Sequence, residues 1–325
     1  MKHLANWLLS ALMIPASAFA VAPEVLEAQR NGAKVSIPLA VIDENGQPVS
    51  GAKVNCRFFN GLGKTSDVGG VTDNQGFFHV GGSCKYYVNI GVLKGGFYSS
   101  WFKQSFGSHD QKPAVVDGKW QPYGEVRKII LKNIESKGDL VVYNPQSIDS
   151  KIPALGKWLP FDLEVFDWVQ PIGRGVHEDA FLRFSYVKGN AGPWDYSAKM
   201  ELSFTNNPYA GAYVKAKDNW SELKSAKQAE TNANFMSEIE FGETIRPDGK
   251  DRKFWLDENS YLVYRTRTKV DENGNLVSAH YGKIYGQWSS GKSNVRLPLG
   301  CFNPRENDPD IEDDSKVREI LRRSK

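Results

Sequence analysis

The sequence predicts an all-β protein: an antiparallel sandwich, then a larger antiparallel β domain that is itself a sandwich or a barrel, then a short C-terminal helix. Three observations carry this. Apolar runs in the first half stop at Glu44-Asn45-Gly46 and at Asp73-Asn74-Gln75-Gly76, where Asn and Gly tolerate the positive φ of a tight reversal. In the second half, Tyr196, Ala198, Met200, Leu202 and Phe204 alternate with Ser197, Lys199, Glu201, Ser203 and Thr205, the period-two pattern of a strand with one wet face. Finally, Tyr261–Val270 and Leu276–Tyr285 flank Asp271-Glu272-Asn273-Gly274-Asn275, a hairpin signal.

Residues 1–20 read as a cleavable leader. Lys2 and His3 form a basic start, an apolar core runs through Leu8, Leu9, Leu12 and Ile14, and Ala18-Phe19-Ala20 offers small residues for cleavage. That core is short for ~30 Å of hydrocarbon, and no later segment reaches the ~18 apolar residues of a span. The expectation is an exported chain, secreted or periplasmic, with no membrane insertion after cleavage. The full chain has 325 residues and a net charge of +3. Loss of the leader removes one charge, Lys2. So small a balance gives no basis for nucleic acid or an anionic membrane as partner.

In the first domain, expected over 21–146, strands are predicted at Lys34–Ile42, Ala52–Phe59, Gly76–Val80, Tyr86–Val92 and Val126–Leu131. Asn60–Gly70 and Ser99–Gly124 read as polar loops, either tolerated insertions or a binding surface. Cys56 alternates with Val54 and Phe58, and Cys84 opens the next apolar run. Two readings stand for this pair: a disulfide contributing about 3 kcal/mol, or two buried thiols. Cys301 is left over.

Two segments, Asp43-Glu-Asn-Gly-Gln-Pro-Val-Ser-Gly-Ala-Lys-Val54 and Thr72-Asp-Asn-Gln-Gly-Phe-Phe78, resemble carboxypeptidase regulatory-like domains, an immunoglobulin-like, prealbumin-like branch of the β sandwiches; Gly95-Gly96-Phe97-Tyr98 adds to the likeness. The resemblance covers roughly residues 33–132. It implies a sandwich acting as a spacer or accessory module and brings no peptidase activity, because no HExxH or HxxE pair is present among the histidines.

Residues 147–156 read as a linker before the second domain, 157–304. Strands are predicted there at Leu163–Val169 and Phe181–Val187, and a short surface helix within Trp220–Glu240, through Leu223, Ala226, Lys227 and Glu230. Residues 262–286 resemble exported bacterial proteins, which implies no activity. The tail, 305–325, has an acidic run from Glu306 to Asp314, read as solvated. A basic helix follows, with Asp314 or Ser315 as N-cap.

Chemical motifs are few. Gly286–Ser293 fits GxxxxGK[ST], but a phosphate loop needs a helix after it, and Asn294-Val295-Arg296-Leu297-Pro298 starts none. His177-Glu178-Asp179 is a compact polar cluster whose neighbours point to opposite faces if it is extended. Asp162, Glu164, Glu178 and Asp195 lie among aromatics, and nothing singles out a catalytic pair, whose spacing is tertiary. Trp158, Trp168, Trp194, Trp220, Trp255 and Trp288 fall in the second half; exposed, they suit sugar stacking, and buried, they are core. The reading is an exported, non-enzymatic binding or structural protein with an unidentified protein or carbohydrate partner and with no cofactor, metal or catalytic residues assigned. Its surface for ligands is expected in the second domain. The alternative is a hydrolase acting on polysaccharide, with its site in that domain. Protein recovered from an exporting host is expected to begin at Val21. Intact-mass measurement checks this, and retention of Met1 on membrane-bound protein contradicts it.

Overall fold

The structure, a computed structural model, describes residues 21–107, 114–135, 139–143, 149–205, 207–246, 259–286, 289–296 and 299–312. It is an all-β protein with one short helix among the described residues. The chain forms two compact units: the residues up to Leu93 with Trp101–Ile130, and Lys94–Ser100 with the residues from Leu131 onward.

The first unit opens with helix α1, Pro23–Asn31, which buries Val25 and Ala28 and ends at Gly32, φ 85°. Its strands are β1 (Ala33–Asp43), β2 (Lys53–Phe59), β3 (Thr65–Val71), β4 (Phe77–Cys84), β5 (Tyr87–Leu93), β6 (Ser100–Ser105), β7 (Val115–Val116), β8 (Lys119–Trp120) and β9 (Arg127–Leu131). One sheet has the order β4-β1-β8-β7, with β9 also on β1; the other has the order β3-β2-β5-β6. Alternation decides what faces inward. Val54, Cys56 and Phe58 of β2 and Val88, Ile90 and Val92 of β5 are buried, whereas Asn55, Arg57 and Asn89 face out. Two polar stretches read as loops contain strands: Thr65–Val71 is β3, and Ser99–Gly124 includes β6, β7 and β8. An edge strand exposed on both faces, as β3 is, has no apolar alternation to reveal it, and pairing with β2 alone defines it.

The predicted reversals share one chemistry. Asp43 Oδ1 accepts from the amides of Asn45 (2.9 Å) and Gln47 (2.8 Å). Asp73 Oδ1 does the same for Gln75 (2.9 Å) and Phe77 (2.8 Å). Asp271 Oδ1 repeats it for Asn273 (2.9 Å) and Asn275 (2.8 Å) in the second unit. In each turn a glycine three residues on, Gly46, Gly76 or Gly274, takes φ near 80° and donates to the aspartate carbonyl.

The second unit has β10 (Val141–Tyr143), β11 (Asp149–Lys151), β12 (Leu159–Asp162), β13 (Asp167–Trp168), β14 (Ala180–Lys188), β15 (Tyr196–Ser203), β16 (Gly211–Ala216) and β17 (Glu238–Ile245). It continues with β18 (Ser260–Val270), β19 (Leu276–Tyr285), β20 (Ser289–Ser290), β21 (Asn294–Arg296) and β22 (Gly300–Phe302). Sheets β13-β12-β14-β15-β17 and β10-β22-β19-β18-β16 enclose a core in which Phe161, Phe184, Met200 and Phe241 meet Leu262, Tyr264, Ile284 and Phe302. The stretch 147–156, expected as a linker, carries β11, which pairs with β21. Gly95–Tyr98 also belongs to this unit, where Tyr98 N donates to Lys132 O at 2.8 Å.

Two further expectations are corrected. Leu163–Val169 is not one strand: β12 ends at Asp162, and residues 163–166 turn before β13, with Phe166 at φ 56°. The turn forms because Asp162 Oδ1 accepts from the amides of Glu164 and Val165 (2.9 and 3.0 Å). Residues 220–237 form no helix. They lie as an irregular layer over the second face of β18 and β19, with Ala229 buried against Tyr213, Tyr261 and Val263. Tyrosine hydroxyls accept from the layer's amides: Ala226 N to Tyr261 (2.9 Å) and Glu230 N to Tyr213 (2.8 Å). The C-terminal helix predicted beyond Asp314 lies outside the described residues.

The turn geometry yields a graded test. A Cβ at Gly76 would lie 2.4 Å from Val41 O, and at Gly46 it would meet nothing within 4 Å. Gly46→Ala is expected to cost about 1–2 kcal/mol, the left-handed conformation alone. Gly76→Ala is expected to cost clearly more, because overpacking adds about 1–3 kcal/mol. Urea unfolding of both variants checks the order.

Candidate functional site

A cluster of ionisable side chains in the second unit gathers around Arg267. This residue has φ 50° at an irregularity of β18, where the register with β19 shifts between Thr266 and Lys269. Its Nε and Nη2 donate to Asp179 Oδ1 (2.8 Å) and Oδ2 (2.9 Å), and its Nη1 to Glu164 Oε2 (2.5 Å). Nη2 also lies 3.4 Å from Asp162 Oδ1, and the guanidinium packs over Phe302 at 4.6 Å.

The carboxylates are closed off in turn. Asp162 is fully buried, and besides the two amides of its turn it accepts Val176 N (2.9 Å) and His177 N (3.0 Å) on Oδ2. Burial alone would raise its pKa; the four backbone donors outweigh it and hold the carboxyl below the ordinary aspartate value. Asp179 is 1% exposed and also accepts Leu163 N (2.9 Å). Arg267 is itself held above its ordinary value: burial lowers it, and the carboxylates of Asp179 and Glu164 more than offset that. The cluster brings together three residues singled out in the sequence, Asp162, Glu164 and Asp179, with His177 at its edge against Asp162. Glu178 is exposed. Asp195 braces a loop, with Ala191 N and Arg246 Nη1 as donors at 3.0 and 2.9 Å. His177 is half exposed, its Nδ1 3.6 Å from Asp162.

Among the described residues no group of three or more His, Cys, Asp or Glu could hold a metal ion. The stretch matching a phosphate loop forms the β20–β21 hairpin, in which Gly291 N donates to Asn294 O at 2.8 Å; Gln287 and Trp288 lie outside the described residues. Over its described part the acidic run is solvated only at its start, where Glu306 is exposed and pairs with Lys269 (2.7 Å). Asp308 and Asp310 pair with Arg305 (2.7 and 3.2 Å), and Glu312, 1% exposed, accepts from Tyr98 Oη (2.6 Å) and Glu135 N (2.9 Å). Asp313 and Asp314 lie outside the described residues. The thiols of Cys56, Cys84 and Cys301 are buried, and the structure shows no bridge between Cys56 and Cys84. Burial pushes Cys56 and Cys84 up to about 12. Of the second-half tryptophans, Trp168 is core, Trp158, Trp194 and Trp220 are exposed, and Trp255 lies outside the described residues.

A further feature is in the first unit, where the stretches Asn60–Gly70 and Ser99–Gly124 contribute Asp67, Gly69 and Trp101 to a face whose centre, Asn55, Arg57 and Asn89, was not singled out in the sequence. The outer face of β3-β2-β5-β6 holds an open concavity of ≈ 750 Å³. Two rows cross it. In one, Asn55 stands between Gly69 and Gly91; in the other, Arg57 stands between Asp67 and Asn89. Arg57 and Asp67 form a forked pair, Nε–Oδ1 2.9 Å and Nη2–Oδ2 3.0 Å. Hydrogen bonding to Arg57 holds Asp67 below its ordinary pKa. Trp101, from β6, completes the lining with 40% of its surface exposed.

No protein-family model matches the sequence, and no curated protein matches it. Among solved structures, 3-chlorocatechol 1,2-dioxygenase from Rhodococcus opacus 1CP is similar at 12% identity, over 32% of this chain and 62% of that one, with a TM-score of 0.27. Catechol 1,2-dioxygenase from Pseudomonas arvilla C-1 is similar at 14% identity over 33% and 54%, TM-score 0.25. The match thus spans less than two thirds of either dioxygenase. Shaft pilin spaA from Lactobacillus rhamnosus GG is similar at 8% identity over 82% and 93%, TM-score 0.21. None of these likenesses is strong enough to carry an activity, ligand or partner to this chain.

The Arg267 centre yields a test. Arg267→Met leaves Asp179 buried without its counter-charge and is expected to cost about 3–5 kcal/mol at pH 7, read by urea unfolding. In the wild type, Asp162 has its pKa lowered by folding, so its contribution is complete above about pH 4 and is lost as the pH falls through the lower folded value. Stability is therefore expected to drop below about pH 4.

Proposed function

We propose that the protein is an exported, non-enzymatic binding or structural protein, with a first unit of the carboxypeptidase regulatory-like kind serving as an accessory module. The observation that carries this reading is the closure of the Arg267 centre. A glycosidase needs one carboxylic acid free to protonate a leaving group and a second free to act as nucleophile or base. Here Asp162 is saturated by four amides, Asp179 is forked onto Arg267, and Glu164 is tied to the same guanidinium. The arrangement holds the turn at 163–166 and the loop at 175–179 against β18. The leader-like residues 1–20 support export.

Incubation of mature protein with a panel of soluble neutral and acidic polysaccharides is expected to release no reducing ends above buffer. Release that disappears in Glu164→Gln, the most exposed carboxylate of the centre, would establish the hydrolase alternative instead.

A further inference from the structure

We propose that the outer face of β3-β2-β5-β6 binds a neutral saccharide chain, with a sugar ring stacked on Trp101 and its hydroxyls held by Asn55, Asn89 and the Arg57–Asp67 pair. The inference rests on the non-enzymatic reading above and deepens it, giving the first unit a ligand.

The chemistry of the lining selects this ligand. A sugar hydroxyl both donates and accepts, and each Asn carboxamide offers two donors and one acceptor in a plane. Asn55 and Asn89 project from neighbouring strands on the same face. The lining carries one cation and one anion, Arg57 and Asp67, so its net charge is zero and it has no preference for an anionic chain. Polynucleotide binding needs an excess of cations. A peptide added as a strand would sit along an edge, β3 or β6, whereas Asn55, Arg57 and Asn89 stand on the inner strands β2 and β5, which are paired on both sides. The fork of Arg57 on Asp67 leaves outward lone pairs and N–H groups at fixed spacing, which suits two adjacent hydroxyls.

The floor allows close approach. Gly69 and Gly91 flank Asn55 across the sheet. A Cβ at Gly91 would meet nothing within 4 Å, so it would stand in the concavity itself. A ring lying on this floor can reach both amides with its apolar face against the indole, the arrangement in which an aromatic side chain contributes apolar contact and leaves hydroxyls to polar partners. The volume falls within the range usual for small-molecule sites.

The test uses the full mature chain. Its binding to neutral hexasaccharides of glucose, mannose, xylose and galactose, and to hexagalacturonate as the acidic control, is measured by calorimetry. Binding to at least one neutral hexasaccharide is expected, weakened at least about tenfold by Trp101→Ala or Asn89→Ala and unchanged by Trp194→Ala in the second unit. Gly91→Val is expected to abolish it by filling the floor. Melting temperatures of the four variants within the wild-type range tie any loss to the face. Three results overturn the proposal: no neutral ligand binds, hexagalacturonate binds better, or binding survives Trp101→Ala and is lost in Trp194→Ala. Reducing-end release from a bound hexasaccharide would overturn the non-enzymatic reading and leave the binding face standing, so the two failures are distinguishable.

Discussion

An aspartate carboxylate that bonds the amides two and four residues ahead holds three of this protein's chain reversals, at Asp43, Asp73 and Asp271. Everything built on these turns depends on that bond pattern. Strand side chains alternate with period two, so a slip of one residue would send Val35, Ile37 and Leu39 of β1 to the wrong face. The turn at 73–76 prevents it by fixing where β4 starts relative to β1. It is reinforced from below by Thr72, whose buried hydroxyl donates to Val49 O (2.7 Å) and accepts from Ala52 N (2.9 Å). The motif 72–78 is thus a small scaffold: threonine under the turn, aspartate across it, and glycine where only a residue without Cβ can pass Val41 O.

Arg267 applies the same logic at longer range. A buried carboxylate is costly without donors, so Asp162 and Asp179 are stable only where amides and one guanidinium converge. The irregularity in β18 that places Arg267 at positive φ aims its side chain at those carboxylates. The strand gives up regular pairing with β19 between Thr266 and Lys269, and the turn between β12 and β13 is thereby tied to the opposite sheet of the same unit. Tyr143 supports the tie from the core, donating to Leu163 O at 2.7 Å and stacking on Phe166 at 3.8 Å.

How much of this was legible follows from the range of the interaction. Strands with one wet face, such as β2, β5 and β15, announced themselves by alternation, and the Asp271 hairpin by its turn residues. Segments 163–169 and 220–240 misled because their apolar residues follow burial imposed from elsewhere: the first is bent by Asp162, and the second lies as an irregular cover over strands whose two faces are both buried. The acidic run misled for a related reason, since charge in sequence says nothing of Arg305 or Tyr98 folding back onto it. Residues Asn55, Asn89 and Trp101 stand on three different strands. Their common face exists only through the register of β2 with β5 and the place of β6 beside them, and no spacing in the sequence encodes that. Reading Trp content by halves of the chain pointed to the second unit, where Trp168 is core, Trp158 lies against Arg183 at 4.5 Å, and Trp194 and Trp220 are exposed.

The placement of that face on a sheet and not on loops has a physical consequence. Its polar groups project from paired backbone, and Arg57 is forked onto Asp67, so the places from which these groups project are set by the sheet. The inward residues on the same strands, Val54, Cys56, Phe58, Val88 and Ile90, are close to fully buried and fix the positions of the outward ones by alternation. The thiol of Cys56 belongs to that inner layer, kept protonated by burial, and contributes packing and not reactivity. The interior of the sandwich and its outer face are therefore two consequences of one register: the same pairing that buries the apolar half of β2 and β5 sets Asn55, Arg57 and Asn89 side by side.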